Sequence, residues 1–255
     1  MPRPFVVGNW KMHKTIGEAR ALATAVRDGV REFGDIDVAL APPFTTLFAV
    51  AEVLKGSSVG LAAQTMHEAS KGAFTGEISP VMLKDAGCTH VILGHSERRH
   101  GFGETDQAVM KKARTALDHG LVPILCVGET LQERETSRTF DVVERQTEHA
   151  LRHVTPEEAT RTVLAYEPFW AIGTGKTASP GQAQEVHTFI RKLVARSHGE
   201  GVARVIRILY GGSVKPDNAG SLIAEPDVDG ALVGGASLKP AAFLRIVKFE
   251  AAKSA

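Results

Sequence analysis

The feature that most constrains the fold of this 255-residue chain is a recurring pair of a short apolar run and a longer amphipathic stretch. The apolar runs recur on average about every 32 residues, the length of one strand–helix unit. They are continuous rather than alternating, as in residues 38–41 (VALA), and this pattern is typical of parallel strands buried on both faces. The eight runs begin near Phe5, Ile36, Val59, His90, Leu121, Thr162, Val205 and Val228.

Between the runs the apolar spacing changes to that of a helix. Such stripes lie in residues 22–33, 109–117 and 186–194. Ser179, Pro180 and Gln182 are expected to form the N-cap, first turn and capping-box partner of the third of these helices. Ser237 is expected to cap the last helix of the chain.

Eight strands alternating with helices in about 250 residues leave two architectures, a closed barrel and a doubly wound open sheet. A doubly wound sheet usually shows a GxGxxG turn after its first strand, but residues 8–11 are GNWK. The sequence therefore favours an α/β fold of the (β/α)8 type, with eight parallel strands closed inside a ring of helices. Because no linker or low-complexity stretch divides the chain, residues 1–255 are expected to form a single barrel domain.

The composition excludes several classes of function. Thirty Lys and Arg against 29 Asp and Glu give a net charge of +1, so no overall field would draw the chain to nucleic acid or to a membrane. No window approaches the roughly 18 apolar residues of a membrane-spanning helix, and the N-terminus does not resemble a signal peptide. Cys88 and Cys126 form no CxxC pair, which disfavours disulfides and a cysteine metal site and fits the cytoplasm.

Polar residues and glycine pairs follow most of the apolar runs. In a barrel these positions all meet at the carboxyl-terminal rim, where barrel enzymes have their active sites. Each residue alone has an ordinary explanation, such as a salt-bridged acid or a solvated lysine, but their convergence favours one site. The glycine pairs after runs seven and eight predict a phosphate site, because glycine lets backbone N–H groups approach a ligand. The residues concerned are Asn9, Lys11, Gln64, His95, Ser96, Glu97, Glu129, Glu167, Gly211, Gly212, Ser213, Gly234 and Gly235.

Residues 168–176, directly after Glu167, form an unusual loop that is apolar at its centre and bounded by proline and glycine. Such a loop either packs as a hydrophobic patch or closes as a lid that excludes water from chemistry at Glu167. The GTGKT stretch at 173–177 is not a P-loop, because the first glycine of that pattern is replaced by Trp170.

Six motifs in a fixed order carry a family resemblance: residues 8–12 (GNWKM), 94–99 (GHSERR), 165–168 (AYEP), 170–176 (WAIGTGK), 210–214 (YGGSV) and 232–236 (LVGGA). With them the chain resembles the triosephosphate isomerase family over its whole length. The resemblance implies a TIM barrel that interconverts dihydroxyacetone phosphate and D-glyceraldehyde 3-phosphate through an enediolate, in glycolysis and gluconeogenesis. It also implies a cytoplasmic homodimer that needs neither a metal nor an organic cofactor.

The resemblance assigns the chemistry to four side chains. Glu167 would be the base that removes a proton from carbon, and Lys11 would stabilise the anionic substrate and the developing oxyanion. His95 would be a neutral imidazole that polarises the carbonyl and shuttles protons, and a helix beginning after it would disfavour the imidazolium. Asn9 would help to hold Lys11 and a substrate oxygen.

The resemblance also assigns the groups that surround these four. The phosphate would be bound by main-chain N–H groups of Gly173, Ser213, Gly234 and Gly235. Behind the catalytic side chains would lie Ser96, Cys126 and Glu97, the last engaging Lys11. The lid would contain Pro168, Trp170, Ile172, Gly175 and Lys176. The loop that follows the third strand, with Phe74 and Thr75, would insert into the neighbouring subunit.

A few positions depart from the family pattern. Phe169 occupies the lid hinge where a smaller aliphatic residue is usual, and Thr65 stands where Asn is commoner. Two other functions stay open: a sugar-phosphate lyase that forms a Schiff base on Lys11, and a barrel with a purely binding role. A lyase would need an uncharged Lys11, whereas Glu167 suits the removal of a proton from carbon.

Overall fold

The computed structural model of the chain describes residues 2–31, 33–172 and 177–249. Its eight strands pair in chain order, all in parallel, and β8 closes onto β1, so the predicted barrel is confirmed. The strands β1 to β8 are Phe5–Asn9, Asp37–Ala41, Gly60–Ala63, His90–Leu93, Val122–Val127, Val163–Tyr166, Arg207–Tyr210 and Gly230–Val233. Each begins at most two residues from the start that the apolar runs predict. The assignment of the whole chain to one domain stays a prediction.

Helices surround the barrel in the described ranges. In chain order, α1 to α12 are Ile16–Gly29, Leu47–Leu54, Pro80–Asp85, Ser96–Phe102, Asp106–Asp118, Leu131–Glu135, Thr139–Leu151, Pro156–Ala159, Pro180–His198, Glu200–Val205, Ala219–Ile223 and Pro240–Val247. Short 3-10 helices lie at Phe44–Thr46, Phe169–Ala171 and Gly235–Leu238. None of the helices described combines the length and apolar character that crossing a membrane requires.

The two helix caps expected from the sequence have different outcomes. At the start of α9, the Ser179 hydroxyl accepts a hydrogen bond from the Gln182 N–H, and the Gln182 side chain accepts one from the Ser179 N–H. This capping box is confirmed. The cap at Ser237 is wrong: its hydroxyl donates to the carbonyl oxygens of Gly234, at 2.7 Å, and Asn9, at 3.3 Å. Ser237 thus ties the segment after β8 to the end of β1, while α12 begins after Lys239.

The hydrophobic core has two layers, one inside the barrel and one between the barrel and the helices. The inner layer takes every second residue of a strand, for example Val163 and Ala165 of β6. Because side chains alternate along a strand, the next residue on that inner face projects into the carboxyl-terminal mouth. For β6 that residue is Glu167, which directly follows the strand. By the same count, Asn9 follows Val7, and Gln64 follows Ala62.

The opposite, amino-terminal end of the barrel is closed by aromatic rings and charges. The imidazole of His90 packs on the Phe5 ring with 5.2 Å between centroids, and the Arg207 guanidinium lies 4.5 Å from the centre of the same ring. Arg207 also forms a 2.7 Å ion pair with Asp37. The pKa of His90 is lowered to about 4, mainly by burial and to a smaller extent by the charge of Arg207, while the charge of Asp37 opposes the shift.

Candidate active site

A cavity of about 380 Å³ opens at the carboxyl-terminal mouth of the barrel. It brings together most of the residues that the sequence analysis grouped as one site. Those lining the cavity are Asn9, Lys11, His95, Glu167, Ile172, Gly211, Gly212, Ser213, Gly234 and Gly235, together with Val214, Lys215, Leu232 and Ala236. Three predicted site residues, Gly173, Gly175 and Lys176, lie outside the described residues.

Glu167, 2% exposed, is the acid among the described residues that line this cavity. One carboxylate oxygen lies 3.0 Å from Nε2 of His95, and the other accepts a 2.9 Å hydrogen bond from the backbone N–H of Ser96. Burial opposes its charge, but the neighbouring imidazole, the Ser96 N–H and the Lys11 ammonium outweigh burial and hold the pKa of Glu167 below its usual value. The residue is therefore a carboxylate at neutral pH, as a base must be.

His95 is the N-cap residue of α4, as expected from a helix beginning after it. Its Nδ1 accepts a 3.2 Å hydrogen bond from the backbone N–H of Glu97, so the ring proton lies on Nε2, facing Glu167. This bond favours the neutral imidazole. Burial also disfavours the imidazolium, but the carboxylates of Glu167 and Glu97 outweigh it and raise the pKa of His95. The helix terminus and the acids thus act in opposite directions.

Lys11 has a left-handed backbone, with φ of +51°, which is uncommon for a residue other than glycine. Three side chains hold it there. Asn9 Oδ1 accepts a 3.0 Å hydrogen bond from the Lys11 N–H, and Glu97 forms a 2.5 Å ion pair with the ammonium. The Gln64 carboxamide donates at 2.8 Å to the Lys11 carbonyl oxygen. Gln64 was expected at the mouth from the sequence, but no role for it was predicted.

Glu129 anchors the start of the segment that follows Glu167. Although fully buried, it accepts hydrogen bonds from the Tyr166 hydroxyl, at 3.1 Å, and from the Trp170 ring N–H, at 2.9 Å. Arg134 pairs with the same carboxylate at 3.2 Å. Glu129 lies two residues after β5, and no role for it was predicted. Its position close behind a buried apolar run was the available signal.

Gly211 makes room for Glu167. A Cβ atom at this position would lie 2.6 Å from Cγ of Glu167, closer than side-chain carbons approach. From the sequence, this glycine was expected to serve phosphate binding alone. The structure shows that its missing side chain is also required by the acid on the neighbouring strand.

The remaining predicted residues surround the cavity or lie away from it. Cys126 is buried beside Glu167, and burial together with that carboxylate raises the pKa of its thiol. Pro168 is buried, and the following Phe169 ring stacks on the imidazole of His100 with 4.3 Å between centroids. Phe74 and Thr75 are exposed and do not line this cavity.

Titratable groups from several strands that meet at the carboxyl-terminal mouth are the arrangement of (β/α)8-barrel enzymes, and the chain is one of them. A model described as triosephosphate isomerase matches residues 4–250. A protein of that name from Pelobacter propionicus is 55% identical over 249 residues, covering 98% of this chain and 99% of the relative. Another, from Carboxydothermus hydrogenoformans, is 54% identical and covers 97% of this chain and 99% of its own length. The chain belongs to the triosephosphate isomerase family.

Proposed function

We propose that the chain interconverts dihydroxyacetone phosphate and D-glyceraldehyde 3-phosphate. The observation that carries the proposal is the close pair at the mouth, a buried carboxylate of Glu167 at 3.0 Å from Nε2 of His95. An ionised acid beside a ring N–H donor suits the removal of a proton next to a carbonyl group. The names of the relatives point to the same substrates.

In this proposal, Glu167 takes a proton from the carbon next to the carbonyl, and the electron pair moves onto the carbonyl oxygen. The resulting enediolate receives the proton back on the neighbouring carbon, so no atom is gained or lost. His95 donates its Nε2 proton to the developing oxyanion and moves protons between the two oxygens. Once Glu167 is protonated, the larger of the two negative charges that raise the pKa of His95 is neutralised, which favours a neutral imidazole during this step.

The anionic parts of the substrate and the intermediate require positive groups that are already in place. The Lys11 ammonium lines the cavity, and Asn9 and Glu97 fix its position through a hydrogen bond and an ion pair. We assign phosphate binding to backbone N–H groups of Ser213, Gly234 and Gly235, which border the same cavity. Charge stabilisation by groups already oriented is usually the largest contribution to catalysis.

The test is a coupled isomerase assay on the purified chain and on Glu167→Gln. Glutamine keeps the size of the side chain but cannot accept the proton, so we expect kcat to fall by about 10²–10⁴-fold or more. Near-parental turnover of Glu167→Gln would refute the assignment of the base. An inactive parent chain would refute the proposed reaction.

Two other functions have less support. A Schiff-base lyase needs a lysine that loses its proton readily, whereas Lys11 forms a 2.5 Å ion pair with Glu97. Borohydride reduction in the presence of substrate, followed by mass spectrometry, would reveal a trapped adduct on Lys11. A purely binding role would leave the pair of Glu167 and His95 without a purpose, and an active parent chain excludes it.

We also propose that the chain forms a homodimer. Most of the large apolar side chains that the described residues expose come from segments after β1 to β4, which occupy one half of the barrel. They are Met12, Ile16, Phe44, Phe48, Phe74, Val81, Met82 and Phe102. Thr75 of one subunit would reach the site of the other. A dilution series by ultracentrifugation tests this, and a fully active monomer would refute it.

Cytoplasmic location is part of the same proposal. Both cysteines, Cys88 and Cys126, are free and buried, as is usual in a reducing compartment.

Pro168, Trp170 and Ile172 are proposed as the first part of a lid next to the base. The contact of Trp170 with Glu129 supports this, because it fixes where such a segment begins.

A further inference from the structure

We propose that Gln64 is a positioning residue that sets the backbone and thereby the ammonium of Lys11. The inference rests on the proposed function and extends it to a side chain that does not line the cavity. Gln64 directly follows β3, and the carboxyl ends of β1 and β2 are its neighbours at the rim.

The contacts of the Gln64 amide leave it one orientation. Its Nε2 donates to the carbonyl oxygen of Lys11 at 2.8 Å and to that of Ala41 at 2.9 Å. Both partners are acceptors, so a flipped amide would place its own oxygen against two carbonyl oxygens. Ala41 in turn accepts from the Trp10 N–H at 3.0 Å. The amide therefore links the ends of three adjacent strands to the residue that carries the ammonium.

Lys11 needs this restraint more than its neighbours do. Its φ of +51° lies in a region that a side chain with a Cβ atom adopts only when other contacts require it. The Asn9 side chain holds the N–H of Lys11, and Gln64 holds its carbonyl oxygen. The two amides thus fix the two peptide groups on either side of the Lys11 Cα, and with them the direction in which the side chain leaves the backbone.

The experiment is a double-mutant cycle with Gln64→Met and Lys11→Met, read as kcat/KM and with kcat and KM separately. Methionine has a similar length to glutamine but no N–H donor. A shift of about 1 Å in a catalytic group can cost on the order of 10²-fold, so we expect Gln64→Met to lower kcat/KM by about 10–100-fold. In the Lys11→Met background the same change should have less than about a twofold effect, because there is no ammonium left to position.

The matched control is Gln184→Met on α9. Its amide is also partly buried and donates to Thr188 and Asp227, away from the cavity. We expect this variant to lower Tm while leaving kcat/KM within about twofold of the parent. If Gln64→Met behaves like the control, or if its effect simply adds to that of Lys11→Met, the inference is refuted.

A crystal structure of Gln64→Met gives a readout that needs no activity, so this inference and the proposed reaction can fail separately. We expect the Lys11 φ to leave the left-handed region, or its ammonium to part from Glu97. Unchanged geometry at both points would overturn the inference even if the parent chain were inactive. Should Gln64→Met not fold, Gln64→Glu serves instead, because a carboxylate of the same shape cannot donate to either carbonyl oxygen.

Discussion

His90 begins β4 and His95 lies two residues beyond the end of that strand, and their surroundings move their pKa values in opposite directions. At the amino-terminal end, burial and, to a smaller extent, the charge of the nearby Arg207 together lower the pKa of His90 to about 4. At the mouth, His95 is 5% exposed and thus more buried than the half-buried His90, but Glu167 and Glu97 outweigh burial and raise its pKa. Burial is thus common to both, and the sign of the neighbouring charges separates an inert ring from one suited to proton transfer.

The largest expected difference between the two ends is in activity. His95→Gln removes the group proposed to carry protons between the substrate oxygens, so kcat should fall by about 10²–10⁴-fold. Tm should stay near the parental value, since the glutamine amide, like the imidazole, has an acceptor for the Glu97 N–H and a donor for the Glu167 carboxylate. Paired assays and calorimetry of His95→Gln and His90→Gln check this. If His90→Gln lost as much activity as His95→Gln, the two ends would not be functionally distinct.

The second prediction concerns the space around Glu167, the proposed base. Gly211→Ala would place a Cβ atom 2.6 Å from Cγ of Glu167 and should displace the carboxylate, lowering kcat/KM by about 10²-fold. Gly181→Ala is the control, because its Cβ atom would meet nothing within 4 Å and alanine favours the helix in which it lies. Equal activity of both variants would show that Glu167 does not depend on the missing side chain.

The strands and helices could be predicted from the sequence because the patterns that indicate them lie within short stretches of the chain. Continuous apolar runs and helical stripes depend on neighbouring residues, so the strand starts are correct to within two residues. Ser237 is the instructive failure. A serine shortly before Pro240 suggests a cap, but the turn after β8 brings its hydroxyl to the carbonyl oxygens of Gly234 and Asn9. No local pattern contains the Asn9 contact, because that residue is 228 positions away.

In the site, too, local sequence patterns predicted some features, whereas contacts between distant residues could not be predicted. Polar residues at strand ends predicted which groups meet at the mouth, because parallel strands place their carboxyl ends together. What supports those groups was not predictable. Gln64 contacts Lys11 across 53 positions, and Glu129 contacts Trp170 across 41. The sequence suggests that Gly211 is needed for phosphate binding, but it does not reveal that a Cβ atom at this position would collide with the Glu167 side chain.

The third prediction uses acid to test the amino-terminal end. A pKa of about 4 in the folded state, against an ordinary 6.5, means that the unfolded chain binds more protons between these pH values. The free energy of unfolding should therefore fall as pH falls from 6.5 to 4, by roughly 2–3 kcal/mol from His90. Urea unfolding of His90→Gln should show a smaller slope. A slope remains, because the pKa of the buried His187 is also lowered to about 4.

The smallest expected effect tests whether charge or burial dominates at His90. Arg207→Met removes a cation from the Phe5 ring and from a half-exposed pair with Asp37, so unfolding should cost about 1 kcal/mol less. Because the charge of Arg207 lowers the pKa of His90 but burial lowers it more, the pKa should rise only part of the way towards 6.5. Titration of the His90 ring by NMR measures this, with Arg207→Lys as the control that keeps the charge. An unchanged pKa in Arg207→Met would show that burial alone distinguishes this ring, and the contrast with His95 would then rest on the two carboxylates.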